Sequence, residues 1–225
     1  MINFVCICKI EPSNYKRPVY SKMWVDKLYS SVKRCYNAEF TFTCVSSDLD
    51  PDNCEYKVVP FIQDSWGWWN KLEIFRSELF DGPCVYLDLD LVFCKDITNE
   101  LLSLPTDLLL MPIEPYKNIL NSSLIYWNGN YEFLFTDYLK NKQEIEQRYK
   151  YPTTKQASIG DEAWIVERIP HGVDAFDNYV KTGFFNWRHH KIETPIDDPS
   201  ILIFTGTEKP TNNQNMQLVK DNWID

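Results

Sequence analysis

The sequence lacks the features that mark membrane-spanning proteins, secreted proteins and zinc sites. Nowhere do about 18 uncharged apolar residues run together, and the apolar opening "INFVCICKI" has no basic stretch and no small-residue cleavage site. The seven cysteines include no CxxC pair and have no histidine at zinc-ligand spacing. We therefore expect a cytoplasmic protein without a membrane span, whose cysteines are buried free thiols in a reducing compartment.

Basic charge and flexible linkers are also scarce. The 23 Lys and Arg residues against 32 Asp and Glu residues give a net charge of −9, which disfavours bulk nucleic-acid binding through phosphate neutralisation. No Gly/Ser-rich or Pro-rich stretch, internal repeat or low-complexity segment divides the chain. The apolar fraction of 44% and the aromatic fraction of 15% exclude intrinsic disorder. We expect one domain over residues 1–225.

The hydrophobic pattern alternates between strands and helices in the first 95 residues. The predicted strands are "INFVCICKI", "EFTFTCVSS", "YKVVPFI" and "CVYLDLDLVF", and the predicted helices are a segment from about Ser21 onward and "DSWGWWNKLEIFRSELF". Such an order is typical of an α/β fold with a mostly parallel, twisted sheet and helices on both faces.

After residue 95 the order of elements is less regular. The predicted helices are "DITNELLSL", with Thr98 as a possible cap, "YEFLFTDYLKNKQEIEQRYK" and "GDEAWIVERI". The predicted strands are "DLLLMPI", "NSSLIYWNG" and "ILIFTGTEKP".

Two carboxylates stand in the fourth predicted strand, where only apolar residues are expected. In "CVYLDLDLVF", Asp88 and Asp90 are two residues apart, so they share one face of a regular strand. Ligands of open α/β sheets bind at the carboxyl ends of the strands, and a carboxylate pair there suits Mg²⁺ or Mn²⁺. The alternative is that one aspartate caps the strand end and the other is solvated.

Four segments together resemble one enzyme family. These are "YLDLDLVF" with its flanks "WWNKLEIFRSELFDG" and "KDITNELL", then "NSSLIYWN", "GDEAW" and "FTGTEKP". Their order and spacing resemble GT-A fold glycosyltransferases, most of all the retaining, glycogenin-like family-8 galactosyl- and glucosyltransferases. The resemblance covers about two thirds of the chain. It implies that residues of about 1–95 bind the nucleotide sugar and that residues of about 96–225 bind the donor sugar and the acceptor.

The resemblance also implies roles for individual residues in the first half. Asp88 and Asp90 correspond to the aspartates that bind Mn²⁺ or Mg²⁺ and, through it, the diphosphate of the donor. Asp88 is in addition placed to contact the ribose. Lys71 corresponds to the basic residue that approaches the diphosphate or the donor sugar.

Roles for the second half follow from the same resemblance. Asn121 and Ser122 would line the pocket of the donor sugar. Gly206 and Lys209 would hold the diphosphate, the glycine by close backbone approach and the lysine as a point charge.

The chain departs from the family pattern at its metal site. Ile203 stands where the family has a histidine as third metal ligand, and Thr211 stands where it has a tryptophan. The metal is then held by fewer protein ligands with water and phosphate, or by another residue, for which His189 and His190 are candidates. A surface or structural histidine pair is the simpler explanation, and weak or absent metal dependence stays open.

A second departure lies in the "GDEAW" segment. Glu162 stands where the family usually has a glutamine near the anomeric carbon of the donor. Its carboxylate could stabilise an oxocarbenium-like transition state, attack to form a glycosyl-enzyme, or act as general base in an inverting enzyme. The alternative is that Asp161 caps the helix and Glu162 lies in its acidic first turn.

Aromatic residues outside the predicted core are candidates for ligand stacking. Trp68 lies on the apolar helix stripe and is predicted to be core. The candidates for stacking on an acceptor are Trp66, Trp69, Trp127 and Trp187. In the loop "KIEPSNYKRP", Tyr15 could stack on uracil and Lys16 or Arg17 could contact phosphate, although a solvated loop explains them equally well.

The predicted activity is the transfer of a hexose or pentose from a nucleoside diphosphate sugar, UDP-linked, to an acceptor hydroxyl. Retention of the anomeric configuration follows from the family-8 resemblance. The acceptor class stays open between a glycan, a protein and a modified nucleobase. One alternative is a nucleotidyltransferase, although the loop "CKIEPSNYKRP" has no glycine for a phosphate loop. Another, favoured by Ile203, is a catalytically silent protein that binds a nucleotide sugar.

Overall fold

The computed structural model describes residues 1–10, 19–63, 65–151, 158–189, 192–193 and 198–224. In these ranges the strands are β1 (Ile2–Ile7), β2 (Phe40–Val45), β3 (Lys57–Val59), β4 (Cys84–Leu87), β5 (Val92–Phe93), β6 (Leu109–Met111), β7 (Ile113–Glu114), β8 (Ile119–Leu120), β9 (Leu124–Trp127), β10 (Asp174–Ala175), β11 (Phe185–His189), β12 (Ile192–Glu193) and β13 (Ile201–Thr205). The α-helices are α1 (Lys22–Cys35), α2 (Thr98–Leu102), α3 (Phe133–Lys140), α4 (Lys142–Arg148), α5 (Gly160–Arg168) and α6 (Gln217–Asn222).

Seven strands form the central sheet in the order β10-β6-β9-β4-β1-β2-β3. Only β9 among them runs antiparallel to its neighbours, β4 and β6. The predicted α/β fold with a mostly parallel sheet is therefore confirmed. A second sheet has the order β12-β11-β13-β5, and β7 pairs with β8 as a short hairpin.

The central sheet separates two hydrophobic clusters, one on each face. Leu87 and Phe4 belong to the cluster that contains α1 and the second sheet, whereas Tyr86 and Val5 belong to the cluster that contains α3 and α5. The alternation along β1 and β4 explains why each strand supplies both clusters, since successive side chains point to opposite faces. Both faces of these strands are therefore buried, as their continuous apolar sequences predict.

The seven cysteines are free thiols, five of them buried and the other two, Cys54 and Cys94, half-buried. Burial raises the pKa of the Cys84 thiol to about 12, so this group stays protonated near neutral pH. No helix within the described ranges is long and apolar enough to span a membrane.

The segment predicted as an α-helix around the tryptophans is a 3₁₀ helix, Gly67–Phe75. A 3₁₀ helix has three residues per turn, so Trp69, Leu72 and Phe75 share its buried face. The spacing expected for an α-helix, 3.6 residues per turn, predicted that Trp68 lies in the core. This prediction is wrong because Trp68 is half-buried.

Two other helix predictions need correction. The long helix after residue 131 is broken into α3 and α4 at Asn141, whose backbone leaves the helical conformation. Thr98 does not cap α2. It is the first helical residue, and its backbone N–H donates instead to the Asp96 carboxylate at 2.9 Å.

Candidate active site

The aspartate pair lies at a topological switch point of the central sheet. The chain proceeds outward from β1 through β2 to β3 and then returns to β4 on the other side of β1. Residues 88–91 follow β4 at its carboxyl end and connect it to β5 in the second sheet. In open α/β sheets this crevice is where ligands bind.

Asp88 and Asp90 lie in a turn and not within one continuous strand. The backbone N–H of Leu91 approaches the carbonyl of Asp88 at 3.3 Å, which closes the turn. The prediction of a strand through residues 84–93 is therefore wrong, since β4 ends at Leu87 and β5 belongs to the other sheet. Two separate clusters of polar side chains form, one around each aspartate.

Lys71 is the centre of the cluster at Asp88. Its Nζ lies 3.2 Å from Asp88 Oδ1 and 3.7 Å from Asp161 Oδ2, and its side chain is only 14% exposed. It also donates to Ser122 Oγ at 3.0 Å and to the Ser122 carbonyl at 3.2 Å. The 3₁₀ helix that carries Lys71 thus connects to the turn after β4 and to the first turn of α5.

Ser122 joins Lys71 to the two acidic residues of α5. Its hydroxyl donates to Asp161 Oδ2 at 2.7 Å, and its backbone N–H donates to Glu162 Oε1 at 3.2 Å. Antiparallel pairing of Leu87 with Leu124 places the residues before β9 beside the end of β4. For the same reason the backbone N–H of Asp88 donates to the Ser123 carbonyl at 2.8 Å.

The carboxyl groups of Asp161 and Glu162 share this enclosed space. Burial raises the pKa of Asp161, while Lys71 and the Ser122 hydroxyl oppose the shift. Burial, followed by the nearby Asp161 charge, raises the pKa of Glu162 to about 8. Near neutral pH Glu162 is therefore largely protonated in the absence of a ligand.

The charge of Lys71 is stabilised by the same carboxylates. Burial alone would lower the pKa of its ammonium group, but Asp88, Asp161 and Glu162 outweigh burial and raise that pKa. Asp161 does not cap α5, because the N-cap residue is Ile159 and the Asp161 carboxylate points to Ser122 and Lys71. Glu162 does lie in the first turn of the helix.

Asp90 is the centre of the second cluster. Its Oδ2 accepts a hydrogen bond from the Tyr20 hydroxyl at 3.2 Å and forms an ion pair with Lys209 Nζ. The side chains of Asp90 and Lys209 are 4% and 10% exposed, so this is a buried pair. It joins the turn after β4 to the loop after β13, where Gly206 lies exposed with φ +65°.

The remaining predicted donor-pocket residue, Asn121, is buried in the turn before β9. Its side-chain oxygen accepts a hydrogen bond from the Ser123 backbone N–H at 2.9 Å, and its own N–H donates to the Pro112 carbonyl. These bonds shape the turn that presents Ser122. Asn121 therefore contributes to the site by holding the backbone of this turn in place.

The oxygen atoms available as metal ligands fit a hard divalent cation that is bound together with phosphate. Asp88 and Asp90 offer carboxylate oxygens, but the described part of the chain holds no group of three His, Cys, Asp or Glu side chains that could ligate one ion. Ile203 is fully buried in β13 and offers no donor atom. Mg²⁺ commonly uses one or two carboxylates and completes its coordination with phosphate oxygens and water.

The histidine and loop candidates lie largely outside what the structure describes. His189 ends β11, but its side chain is not among the described ones, and His190 lies outside the described residues. Tyr15, Lys16 and Arg17 lie outside them too. Their suggested roles in ligand binding stay predictions.

Of the four tryptophans suggested for acceptor stacking, only Trp66 has an accessible ring. It is 53% exposed, whereas Trp69, Trp127 and Trp187 are at most 4% exposed. Trp69 stacks on Tyr138 in the core, with ring centroids 5.2 Å apart. An acceptor-stacking role for the three buried tryptophans is therefore wrong.

Two tyrosines of the site escaped the sequence analysis. The Tyr86 hydroxyl donates to Asp88 Oδ1 at 2.5 Å, and burial raises the pKa of Tyr86 well above its ordinary value. Its position two residues before Asp88 was a usable signal, because residues i and i+2 of a strand share a face. Tyr20 pairs with Asp90 across 70 residues of sequence, for which the sequence carries no local signal.

Replacement of Gly160 by alanine is expected to destabilise the protein and to distort the site. Gly160 has φ +62°, and a Cβ there would lie 2.0 Å from Nε1 of the Trp68 indole. The left-handed backbone costs about 1–2 kcal/mol in a non-glycine residue, and overpacking costs about 1–3 kcal/mol more. Urea unfolding would measure the loss of stability.

Gly172→Ala is the matched control for this substitution. Gly172 has φ +81°, but a Cβ there meets nothing within 4 Å, so only the backbone cost applies. Equal destabilisation of the two variants would contradict the contact between Trp68 and Gly160.

Comparison with known proteins identifies the fold of the chain. No protein-family model matches the sequence, and no curated protein sequence matches it either. The structure is similar to that of the galactosyltransferase LgtC in complex with donor and acceptor sugar analogs. The TM-score is 0.63 at 13% identity, over 99% of this chain and 97% of LgtC.

Two further solved structures give the same result. The glycosyltransferase GlyE of Streptococcus pneumoniae matches with a TM-score of 0.62 at 13% identity, over 99% of this chain and 59% of GlyE. The bifunctional glycosyltransferase WbbM matches with a TM-score of 0.62 at 12% identity, over 98% of this chain and 48% of WbbM. The chain has the GT-A glycosyltransferase fold. The GT-A fold implied by the family-8 motifs is confirmed.

Proposed function

We propose that this GT-A protein is a glycosyltransferase that moves a sugar from a nucleoside diphosphate sugar, UDP-linked, to an acceptor hydroxyl. The observation that supports this most is the pairing of one largely buried lysine with each aspartate at the switch point, Lys71 with Asp88 and Lys209 with Asp90. Two cations beside two carboxylates suit a diphosphate together with a metal ion. The fold is shared with LgtC, whose structure contains donor and acceptor sugar analogs.

In this proposal Asp88 and Asp90 hold Mn²⁺ or Mg²⁺ together with the diphosphate oxygens. When bound, the metal ion neutralises negative charge on the departing diphosphate. Lys209 and the backbone around Gly206 bind the diphosphate, as the motif "FTGTEKP" suggests. Its pairing with Asp90 keeps the Lys209 ammonium group beside the proposed metal and diphosphate site.

The donor sugar is proposed to lie between Lys71, the turn of Asn121 and Ser122, and the first turn of α5. Cleavage of the bond between the anomeric carbon and the diphosphate leaves the electron pair on the nucleotide and positive charge on the sugar. The acceptor oxygen then bonds to the anomeric carbon, and the hydroxyl proton passes to the departing diphosphate. An ionised Glu162 stabilises that positive charge, and Asp161 keeps Lys71 and Ser122 in place. Transfer with retention of configuration is part of the proposal, and NMR of the product linkage tests it.

The chain is proposed to act as one domain in the cytoplasm, with residues of about 1–95 serving the nucleotide and residues of about 96–225 serving the sugars. The lysine pairs also favour a glycosyltransferase over a nucleotidyltransferase with a glycine-rich phosphate loop, since neither Lys71 nor Lys209 belongs to the loop after β1.

Asp88→Asn and Asp90→Asn are each expected to abolish metal-assisted binding of the donor nucleotide while the fold is kept. The measurement is calorimetric titration with UDP, GDP and their common sugar conjugates, each with Mn²⁺ and with EDTA. The wild-type protein is expected to bind one nucleotide in a metal-dependent way, because the carboxylates, the metal and the diphosphate complete one another.

Asp52→Asn serves as the charge-matched control, since Asp52 is exposed in the short 3₁₀ helix Pro51–Asn53. It is expected to bind nucleotide like the wild-type protein. Unchanged affinity for UDP with Mn²⁺ in both site variants would contradict the proposed metal site. Tight nucleotide binding without any sugar transfer or hydrolysis would instead identify a catalytically silent binding protein.

A further inference from the structure

Trp66 is a large aromatic side chain left exposed beside the candidate active site. It directly precedes the 3₁₀ helix Gly67–Phe75, the helix that carries Lys71, and its side chain is 53% exposed. Its ring contacts the Trp68 ring edge to face, with centroids 5.0 Å apart and planes at 71°. Single exposed apolar residues are common on protein surfaces, so exposure by itself implies no binding role.

The backbone that presents Trp66 is held unusually firmly for a surface loop. The preceding residue, Ser65, is 2% exposed and donates its backbone N–H to Asn70 Oδ1 at 3.0 Å. The Ser65 carbonyl accepts from Lys9 Nζ at 3.0 Å, and the Ser65 hydroxyl is hydrogen-bonded to the Tyr138 hydroxyl at 3.0 Å. Two side chains distant in sequence, Lys9 and Tyr138, and one local side chain, Asn70, therefore fix the point from which the exposed indole projects.

The tryptophan pair is also connected directly to the candidate catalytic carboxyls. Trp68 packs so closely on Gly160 that a Cβ at that residue would overlap the indole. Gly160 immediately precedes Asp161 and Glu162 at the start of α5. Trp66, Trp68 and Gly160 thus form a continuous wall that leads from the protein surface to the site of the proposed transfer.

The chemistry of this wall selects among the possible acceptors. The face of an indole ring carries partial negative charge and attracts the polarised C–H groups on one face of a sugar ring. The net charge of −9 repels the phosphates of a nucleic acid. A neutral, rigid ring with hydroxyl groups at its edge fits both requirements.

We propose that the acceptor is a glycan and that Trp66 is its binding platform, with a sugar ring packed on the exposed indole and a hydroxyl group directed toward α5. This rests on the proposed sugar transfer. It names the substrate class that the acceptor side of the site takes. Trp68 supports the platform from behind by its edge contact and by its packing on Gly160.

The test uses saturation-transfer difference NMR on the full chain with UDP and Mn²⁺ present. The probes are the methyl glycosides of glucose, galactose and mannose together with lactose and cellobiose. At least one sugar is expected to receive saturation on the protons of one ring face. Trp66→Ala is expected to weaken its binding about tenfold, whereas Trp66→Phe keeps most of it.

Two measurements separate this proposal from the proposed function. Calorimetric binding of the UDP-sugar is expected to be the same in Trp66→Ala and wild-type protein, because no hydrogen bond or ring contact within the described ranges joins Trp66 to the proposed donor-binding residues. Leu102→Ala is the control for loss of an exposed apolar side chain, since Leu102 is 57% exposed on α2. That helix packs near the carboxyl end of α1, through the Ile97 N–H and the Cys35 carbonyl, away from the switch point.

Sugar binding that survives Trp66→Ala unchanged would overturn the platform and leave the donor site standing. Saturation of a serine-containing peptide or of a nucleoside, in place of the sugars and dependent on Trp66, would overturn the glycan assignment. If neither the wild-type protein nor any variant binds a UDP-sugar while sugars still bind through Trp66, the proposed transferase function is wrong and the sugar-binding role of Trp66 is kept.

Discussion

Lys71→Met is expected to abolish most of the proposed transferase activity and to lower the free energy of unfolding by about 3–5 kcal/mol near neutral pH. The Lys71 ammonium is the partner of two carboxylates, Asp88 at 3.2 Å and Asp161 at 3.7 Å, in a setting with little solvent. Its removal leaves the buried Asp161 carboxylate, 4% exposed, without its counter-ion beside the partly exposed Asp88, so protonation of Asp161 becomes more favourable. The activity loss expected for removal of a positioned electrostatic group is about 10²–10³-fold.

The pH dependence of this effect identifies its cause. Burial raises the pKa of Asp161 in the folded protein, so below the ordinary pKa of aspartate, near 3.9, this carboxyl is neutral in the folded and unfolded states and its part of the electrostatic destabilisation disappears. The difference between variant and wild-type stability is therefore expected to grow as the pH rises from about 4 toward 7. Urea unfolding at a series of pH values measures it directly.

Two substitutions serve as controls for Lys71→Met. Lys71→Arg keeps the charge and is expected to recover most of the stability, although the planar guanidinium cannot reproduce every contact of the ammonium. Lys22→Met removes an exposed pair with Asp26, 41% and 34% exposed, which contributes only about 0.3–0.5 kcal/mol. A Lys71→Met protein as stable as Lys22→Met would show that the Asp88 and Asp161 carboxylates do not depend on Lys71.

Glu162→Gln is expected to make the protein more stable at alkaline pH and much less active. Burial and the Asp161 charge raise the pKa of Glu162 from 4.5 to about 8 in the folded protein. Between these two pH values the unfolded state has lost the Glu162 proton while the folded state keeps it. The stability contributed by Glu162 is therefore complete below about pH 4.5 and falls by at most about 1.4 kcal/mol per pH unit up to about pH 8.

The glutamine side chain does not ionise in this pH range, so the variant does not lose stability at this position as the pH rises. Thermal unfolding is expected to show equal stability of variant and wild type near pH 4.5 and a growing advantage of the variant toward pH 8. The groups that set the titration face Glu162 from several elements: Asp161 on the same helix, Glu114 in β7, Lys71, and the Ser122 N–H before β9. Burial raises the pKa of Asp161 as well, so Asp161 also makes the folded protein less stable as the pH rises.

Activity is expected to move the other way. If the ionised Glu162 carboxylate stabilises positive charge on the sugar, kcat/KM rises with pH through an apparent pKa near 8 in the wild-type protein. Glu162→Gln loses this rise and about 10²-fold in rate. Glu144→Gln is the matched control, because Glu144 also lies in the first turn of a helix, α4, but is exposed. Equal pH profiles for Glu162→Gln and wild type would overturn the role of this carboxylate.

Many elements of the fold were predictable because their signals are local. The strand β1 is continuously apolar, α1 repeats its apolar residues every three or four positions, and Ser21 directly precedes its first residue. The motif around Asp88 and Asp90 predicted a polar site at the end of a buried strand, and that is where the turn lies. The error at the tryptophans was also local. A segment with apolar residues spaced by both three and four fits a 3₁₀ helix and an α-helix alike.

The sequence alone therefore determined the α/β order, the place of the aspartate pair at a strand end and the family to which its motifs are similar. Only the tertiary structure decided which side chains meet there. The antiparallel direction of β9 brings Ser122 to Lys71, and the return of β13 brings Lys209 to Asp90 across 119 residues. Which tryptophan stays exposed was also settled by packing against Tyr138 and Gly160. The physical reason is that hydrophobic periodicity reports the burial of a segment, whereas partners distant in sequence are selected by the packing of whole elements.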